Sequence, residues 1–314
     1  MQHPTRALLP LLLLSALLIH CATPPDPEPA ERPGISPALK EMLEKATTTD
    51  PSSEGTDAPP PTTGLPGPTD KTPRVGNTTI RDFGKAKYKA KAIFAEMKGS
   101  TTFYCGCKYT FGHGSGGTVD WDSCGFRPRK NAKRAKRTEW EHVVPASAFG
   151  HSFSEWKQGH PDCHNKRGPF KGRRCVGQVN QEFSFMEADL YNLRPAVGEV
   201  NGDRSSKIVG EVVGEERKYG DCDVEISKDT VEPRPEVRGN VARTYLYMDW
   251  AYPNRNIIPT EGMRIMLRDW ATSDPVDKEE FMWAKAVEAV QGNPNPFVAE
   301  AMEIGATNAP TSPR

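Results

Sequence analysis

No stretch of this 314-residue chain is apolar for long enough to cross a bilayer as a helix. The best candidate, Ala7 to Ile19, has thirteen residues and is broken by Pro10 and Ser15, where a span needs about twenty. A net charge is missing as well, because 41 Lys and Arg balance 41 Asp and Glu. There is no internal repeat at a fixed period, which excludes a solenoid. The glycine-rich stretch Gly112 to Gly117 lacks a phosphate-loop pattern and precedes no helical segment, so it reads as a turn. The spacing of "CGC", Cys124 and "HPDCH" (His160, Cys163, His164) matches no familiar zinc finger. From Ala22 to Asp70 large apolar residues almost vanish, so that segment cannot bury enough surface to offset the cost of ordering it.

What is present divides the chain. A short apolar run behind Arg6 reads as a secretory signal peptide over residues 1–21. The mature protein is then exported: periplasmic, anchored at the outer membrane, or secreted. Cys21 is a candidate for lipid attachment, although His20 stands where a small residue is the rule. A lipid there would be the chain's one link to a membrane. Residues 22–79 read as a disordered Pro-rich tether, 80–301 as one folded domain and 302–314 as a disordered tail. The tether accounts for the missing charge. It holds nine acids against three bases up to Asp70, so from Lys71 onward bases exceed acids by about five.

The chain has seven cysteines, and setting Cys21 aside leaves Cys105, Cys107, Cys124, Cys163, Cys175 and Cys222. An even number in an oxidising compartment predicts three disulfides. Cys163 is expected to pair with Cys175, and the other four to cross-pair. Cys105 and Cys107 are too close to bond to each other without strain.

Helical periodicity is clear at 82–98, where Ala86, Ala90, Ile93, Phe94 and Met97 share a stripe. It recurs at 181–190, at "TEGMRIMLRDWATS" with Met263, Met266, Leu267 and Trp270 on one face, and at "DKEEFMWAKAVEAVQG". "VARTYLYMDWAY" is ambiguous, and a helix with Ala242, Tyr245, Leu246 and Trp250 inward is favoured. "TTFYCGCKYTF" and Trp140 to Val144 read as strands. Helices dominate, and the class is α+β.

Two basic runs stand out. "RPRKNAKRAKR" carries Arg127, Arg129, Lys130, Lys133, Arg134, Lys136 and Arg137 with no acid, and "HNKRGPFKGRR" (164–174) adds five more cations. Such runs are usually a solvated face, but clustered cations are also the footprint of a polyanion. Between the runs lies "TEWEHVVPASAFGH", with Glu141 directly before His142.

That pair suits phosphodiester hydrolysis. An attacking water needs a base, and imidazole titrates in the right range. The phosphorane and the leaving oxygen gather negative charge, which a hard divalent cation on oxygen ligands stabilises. Glu141 offers a carboxylate and His142 a base. An amide ligand would complete the set, and "MEADLYNLRPAVGEVNGDRS" holds Asn192 and Asn201. Periodicity does not choose between them. Adjacent strand residues point to opposite faces, so Glu141 and His142 share a site only if the strand ends or twists there.

"EWEHVVPA" followed by "MEADLYNLRPAVGEVNGDRS" resembles the endonuclease I family of exported bacterial non-specific nucleases. The likeness continues in "FYCGC" (103–107), "SCGF" (123–126), "ARTYLYM" (242–248) and "GNPNPFV" (292–298), spanning about Phe83 to Val298 in one order. It implies a mainly helical domain around a ββα-metal nuclease core. It implies His142 as general base, Glu141 and Asn192 as ligands of Mg²⁺ or another divalent metal, and an arginine on the phosphate, here Arg173 or Arg174. The expected activity is hydrolysis of DNA, and of RNA, with little sequence preference and 5′-phosphate ends, by a monomer. Glu155 stands where the family often has a cysteine before the tryptophan matching Trp156. Two rival readings use fewer of these residues: a non-catalytic envelope protein that binds nucleic acid, and a structural envelope protein with a long tether.

Overall fold

The computed structural model describes residues 73–214 and 216–299, with positions 37, 40, 41 and 68 standing alone before them. The expected signal peptide, Cys21, most of the tether and the tail at 302–314 lie outside the described residues.

The first helix, α1 (Phe83–Glu96), starts where the sequence indicates. Asp82 caps it by accepting from the Lys85 N–H at 2.7 Å, and Ala86, Ala90, Ile93 and Phe94 face the core. The expected strand through "TTFYCGC" does not form. The Thr102 N–H donates to Cys107 O at 2.8 Å and the Gly106 N–H to Thr102 O at 2.7 Å, closing residues 102–107 into a turn. Only β1 (Tyr109–Phe111) extends, and it pairs with β2 (Gly117–Val119) around the glycine-rich turn. The cross-links explain the difference: Cys105 bonds Cys222 and Cys107 bonds Cys124, so two cysteines two residues apart are tied to separate parts of the fold. Cys163 bonds Cys175, and no cysteine among the described residues is left for a metal.

The basic run forms a loop and the single turn α2 (Ala132–Ala135), and then β3 (Thr138–His142) begins. Two short helices follow, α3 (Ala146–Gly150) and α4 (Ser154–Gln158). A hairpin of β4 (His164–Asn165) and β5 (Gly168–Pro169) leads to α5 (Arg173–Val179) and α6 (Gln181–Glu187). A 3₁₀ turn (Leu190–Asn192) then introduces β6 (Leu193–Val197), which runs antiparallel to β3 with Glu141 opposite Arg194 and His142 opposite Leu193. α7 (Gly198–Arg204) leaves β6 without a gap. A strand, its antiparallel partner and the helix that follows it thus form one ββα unit. Gly198 is needed where α7 starts, since a Cβ there would lie 2.4 Å from Arg134 O.

The rest of the domain packs around this unit. A small sheet holds β7 (Ile208–Val209), β9 (Thr230–Glu232) and β8 (Glu225–Ile226), with β9 in the middle. Three helices close the core: α8 (Arg238–Ala251), α9 (Glu261–Ser273) and α10 (Lys278–Gln291), the last stopped by Gly292 in the left-handed region at φ 93°. The periodicity of α8 is ambiguous because every residue from Val241 to Met248 is buried, so no polar stripe marks an outer face. Its Arg243 is buried against Glu280, Nε to Oε1 2.9 Å.

The packed structure also starts earlier than residue 80. Asn77 is buried; its N–H donates to the Tyr252 hydroxyl at 2.8 Å and its Nδ2 to Phe185 O at 2.9 Å. A proline-rich composition hides a segment whose polar groups are met by distant partners. No helix among the described residues is long and apolar enough to cross a membrane.

Candidate active site

A cavity of about 450 Å³ opens at the end of β3, and Glu141, His142, Arg173, Asn201 and Arg204 line it. β3 stops at His142. There the chain leaves strand geometry, so two adjacent side chains reach one cavity, as the adjacency of a carboxylate and an imidazole requires.

His142 is held in one tautomer. Its Nε2 lies 2.8 Å from Glu187 O, a carbonyl that can only accept, so Nε2 carries the proton and Nδ1 keeps a lone pair. Phe83 packs against the ring with centroids 4.8 Å apart. Burial, followed by the charges of Arg173, Arg204 and Lys87, pushes the imidazole down to about 3, while the Glu187 carbonyl works in the opposite direction. At neutral pH the ring is therefore in its base form.

Glu141 is anchored through one oxygen. Its Oε1 accepts from the Tyr104 hydroxyl at 2.9 Å and from Arg204 Nη1 at 3.0 Å. No partner meets Oε2 among the described residues. Burial raises the carboxyl above its usual range, and the Arg204 guanidinium and Tyr104 hydroxyl oppose it. Arg204 also donates through Nη1 to His142 O at 2.6 Å and through Nη2 to Val143 O, so one side chain orders the whole end of β3. Burial works against the Arg204 charge, but the Glu141 carboxylate more than restores it.

The two asparagines have different surroundings. Asn192 is fully buried, accepting from the Val144 N–H at 2.7 Å and donating to Val144 O at 2.9 Å. Both ends of its amide are spent on backbone and it does not line the cavity. Asn192, expected as a metal ligand, thus has both ends of its amide engaged: it precedes β6, and its geometry is that of a clamp between the two strands' ends. Asn201 sits on α7, lines the cavity, and donates Nδ2 to Glu139 Oε2 at 3.0 Å.

Of the two arginine candidates, Arg173 borders the cavity, paired with Glu187 and stacked 5.3 Å from the Phe83 ring. Arg174 does not line it, and lies 4.5 Å over the Phe170 ring.

The first basic run is largely paired with acids of its own domain, although every one of its seven cations except Arg134 remains exposed. The N–H groups of Arg129, Lys130 and Asn131 wrap the Glu199 carboxylate at 3.0, 2.7 and 2.6 Å. Arg129 and Lys130 pair with Asp203 at 2.9 and 2.7 Å, and Arg134 and Arg137 with Glu139 at 2.7 and 2.8 Å. Lys136 lies 4.8 Å over the Trp121 ring, and Arg127 only approaches Asp122, at 3.8 Å, with both side chains in solvent. Lys133 is exposed without an ion pair among the described residues. The acids responsible sit in β3 and on α7, where Glu199 and Asp203 are four residues apart on one face. By contrast Lys166, Arg167, Lys171 and Arg174, on the hairpin and the start of α5 that the Cys163–Cys175 disulfide ties together, are exposed and form no ion pair among the described residues.

Arg204, Tyr104 and Glu139 escape a motif search. A signal for Arg204 did exist: in "NGDRS" it lies three residues after Asn201, on the same helical face. Tyr104 reaches Glu141 across 37 residues, and nothing local announces it.

A hard carboxylate oxygen and an amide oxygen, with room for waters, form a donor set that fits a small divalent cation. No group of three or more His, Cys, Asp or Glu suited to a metal occurs among the described residues, so any metal here would rest on few protein ligands.

A ββα unit that presents an imidazole base, an anchored carboxylate and a cavity arginine defines a class, that of the ββα nucleases. More narrowly, the chain belongs to the endonuclease I family, whose model matches residues 84–302. It is 40% identical over 201 residues to a periplasmic deoxyribonuclease of Aeromonas hydrophila, covering 63% of this chain and 78% of that one. It is 40% identical over 223 residues to Endonuclease-1 of Buchnera aphidicola, covering 70% and 81%. An extracellular deoxyribonuclease of Aeromonas hydrophila is 37% identical over 222 residues, covering 70% and 88%. The chain is an exported protein, in keeping with relatives named as periplasmic or extracellular and with its three disulfides.

Proposed function

We propose that this protein is an endonuclease that hydrolyses phosphodiester bonds of DNA, and of RNA, with little sequence preference. The observation that carries the reading is one cavity in which His142 Nδ1 is left as a base while Glu141 Oε2 has no partner among the described residues.

His142 takes a proton from the attacking water through Nδ1, with Nε2–H pinned to the Glu187 carbonyl so that the ring cannot turn away. Glu141 Oε2 and Asn201 Oδ1 would hold a divalent cation, Mg²⁺ by the hardness of its donors. When bound, that cation stabilises the charge gathering on the phosphate and on the leaving 3′ oxygen. Arg173, on the cavity wall, contacts the phosphate, and the products carry 5′-phosphates. Lys166, Arg167, Lys171 and Arg174 hold the flanking backbone together with Lys133, and Arg134 reaches the same cavity. Phosphate contacts position a nucleic acid without reading its sequence, which supports both the low selectivity and activity on RNA.

The test is plasmid and RNA degradation with metal titration. Wild-type activity should stop with EDTA and return with Mg²⁺. His142→Ala should lower the rate by about 10²–10⁴-fold while still shifting DNA in a gel. Normal cutting by that variant would sink the assignment.

A further inference from the structure

We propose that Glu139 is a positioning residue for the metal site, fixing which end of the Asn201 amide faces the cavity. The inference rests on the reading of Asn201 as a ligand and deepens it.

Glu139 and Glu141 lie two apart on β3, hence on the same face of the strand. Glu141 enters the cavity, while Glu139 stands behind Asn201. The Glu139 carboxylate receives four donors: Arg134 Nε at 3.0 Å, Arg134 Nη2 at 2.7 Å, Arg137 Nε at 2.9 Å and Asn201 Nδ2 at 3.0 Å. A carboxylate clamped by two guanidinium groups is an acceptor only. The amide end facing it must be the NH₂, and Oδ1 is therefore the end left for the cavity. Oδ1 accepts no hydrogen bond among the described residues. An amide with no such neighbour would present NH₂ in part of its population, and NH₂ is no ligand for a cation. The two arginines of the first basic run thus act on the site indirectly, by holding the carboxylate that holds the amide. This gives that run a role other than contact with a polyanion.

Outer partners that orient a metal ligand typically contribute about 10–100-fold in metal affinity. The experiment is Mn²⁺ binding to the full chain without nucleic acid, by calorimetry and by electron paramagnetic resonance, in a cycle of wild type, Glu139→Ala, Asn201→Ala and the double variant. Glu139→Ala should weaken Mn²⁺ binding about tenfold or more in the wild-type background and by nothing further once Asn201 is alanine. Unchanged Mn²⁺ affinity in Glu139→Ala, or costs that simply add, would overturn the positioning role. Unchanged affinity in Asn201→Ala would instead remove Asn201 from the ligand set, a separate failure. Should Glu139→Ala lose its native circular dichroism, Glu139→Gln, similar in shape but uncharged, takes its place in the same cycle.

Discussion

Arg204 and Glu141 form a buried ion pair, Nη1 to Oε1 3.0 Å, with side chains 1% and 2% exposed. The same guanidinium caps the carbonyls of His142 and Val143. Removing one member of such a pair leaves the other charged and buried. Arg204→Ala is expected to lower stability by about 3–5 kcal/mol and to abolish activity, because the end of β3 loses its fixed geometry. Urea denaturation of metal-free protein measures the first, and plasmid nicking the second. A variant as stable as wild type would contradict the arrangement.

Asn192 and Asn201 should separate stability from function. Asn192→Ala strands the Val144 N–H and carbonyl in the core, a loss of about 1–3 kcal/mol for each buried group left unsatisfied. Asn201→Ala touches a cavity wall, and its effect should fall on Mg²⁺-dependent cutting with little change in melting temperature. Melting curves and a Mg²⁺ titration on both variants check this; equal melting losses would count against it.

His142 makes stability depend on pH. Its folded value lies at about 3, below the unfolded value of about 6.5. Between these limits the unfolded chain binds a proton that the folded chain refuses. Stability contributed by the neutral ring is thus full above about pH 6.5 and lost progressively as pH falls towards 3. In EDTA, the slope of unfolding free energy against pH over this window should flatten in His142→Asn. An identical slope in the two proteins would show that the ring is not buried as neutral imidazole.

The segment 164–174, from the β4–β5 hairpin to the start of α5, should dominate the salt dependence of binding. Every phosphate that the protein no longer neutralises lowers the slope of log affinity against log salt by about 0.9 on duplex DNA. Replacing Lys166, Arg167, Lys171 and Arg174 with glutamine in the His142→Ala background should reduce that slope more than Arg129→Gln with Lys130→Gln, whose side chains already pair with Asp203. Fluorescence anisotropy at several salt concentrations gives both slopes. Equal reductions would mean that Asp203 releases its partners to the nucleic acid.

Local pattern carried far in this protein. The stripe of Ala86, Ala90, Ile93 and Phe94, the Asp82 cap and the Gly292 stop each act within one or two helical turns, and so α1 and α10 could be read directly. The Cys163–Cys175 bond is local too, twelve residues apart in sequence. The Glu141–His142 pair was legible because two adjacent polar side chains before an apolar run break strand alternation, and His142 proves to be where the strand ends.

Tertiary structure alone decided the rest. Asn192 and Asn201 are the same residue type, nine positions apart, and differ only in what surrounds them: one is consumed by the Val144 backbone, the other opens on the cavity. Arg173 and Arg174 are neighbours, and the helix they begin sends them to different rings. The basic run counted as free charge until Glu139, Glu199 and Asp203 came to meet it. A sequence fixes which groups can donate, accept or carry charge. Which of them are already spent on one another depends on contacts between distant segments, and that is settled only when the chain closes on itself.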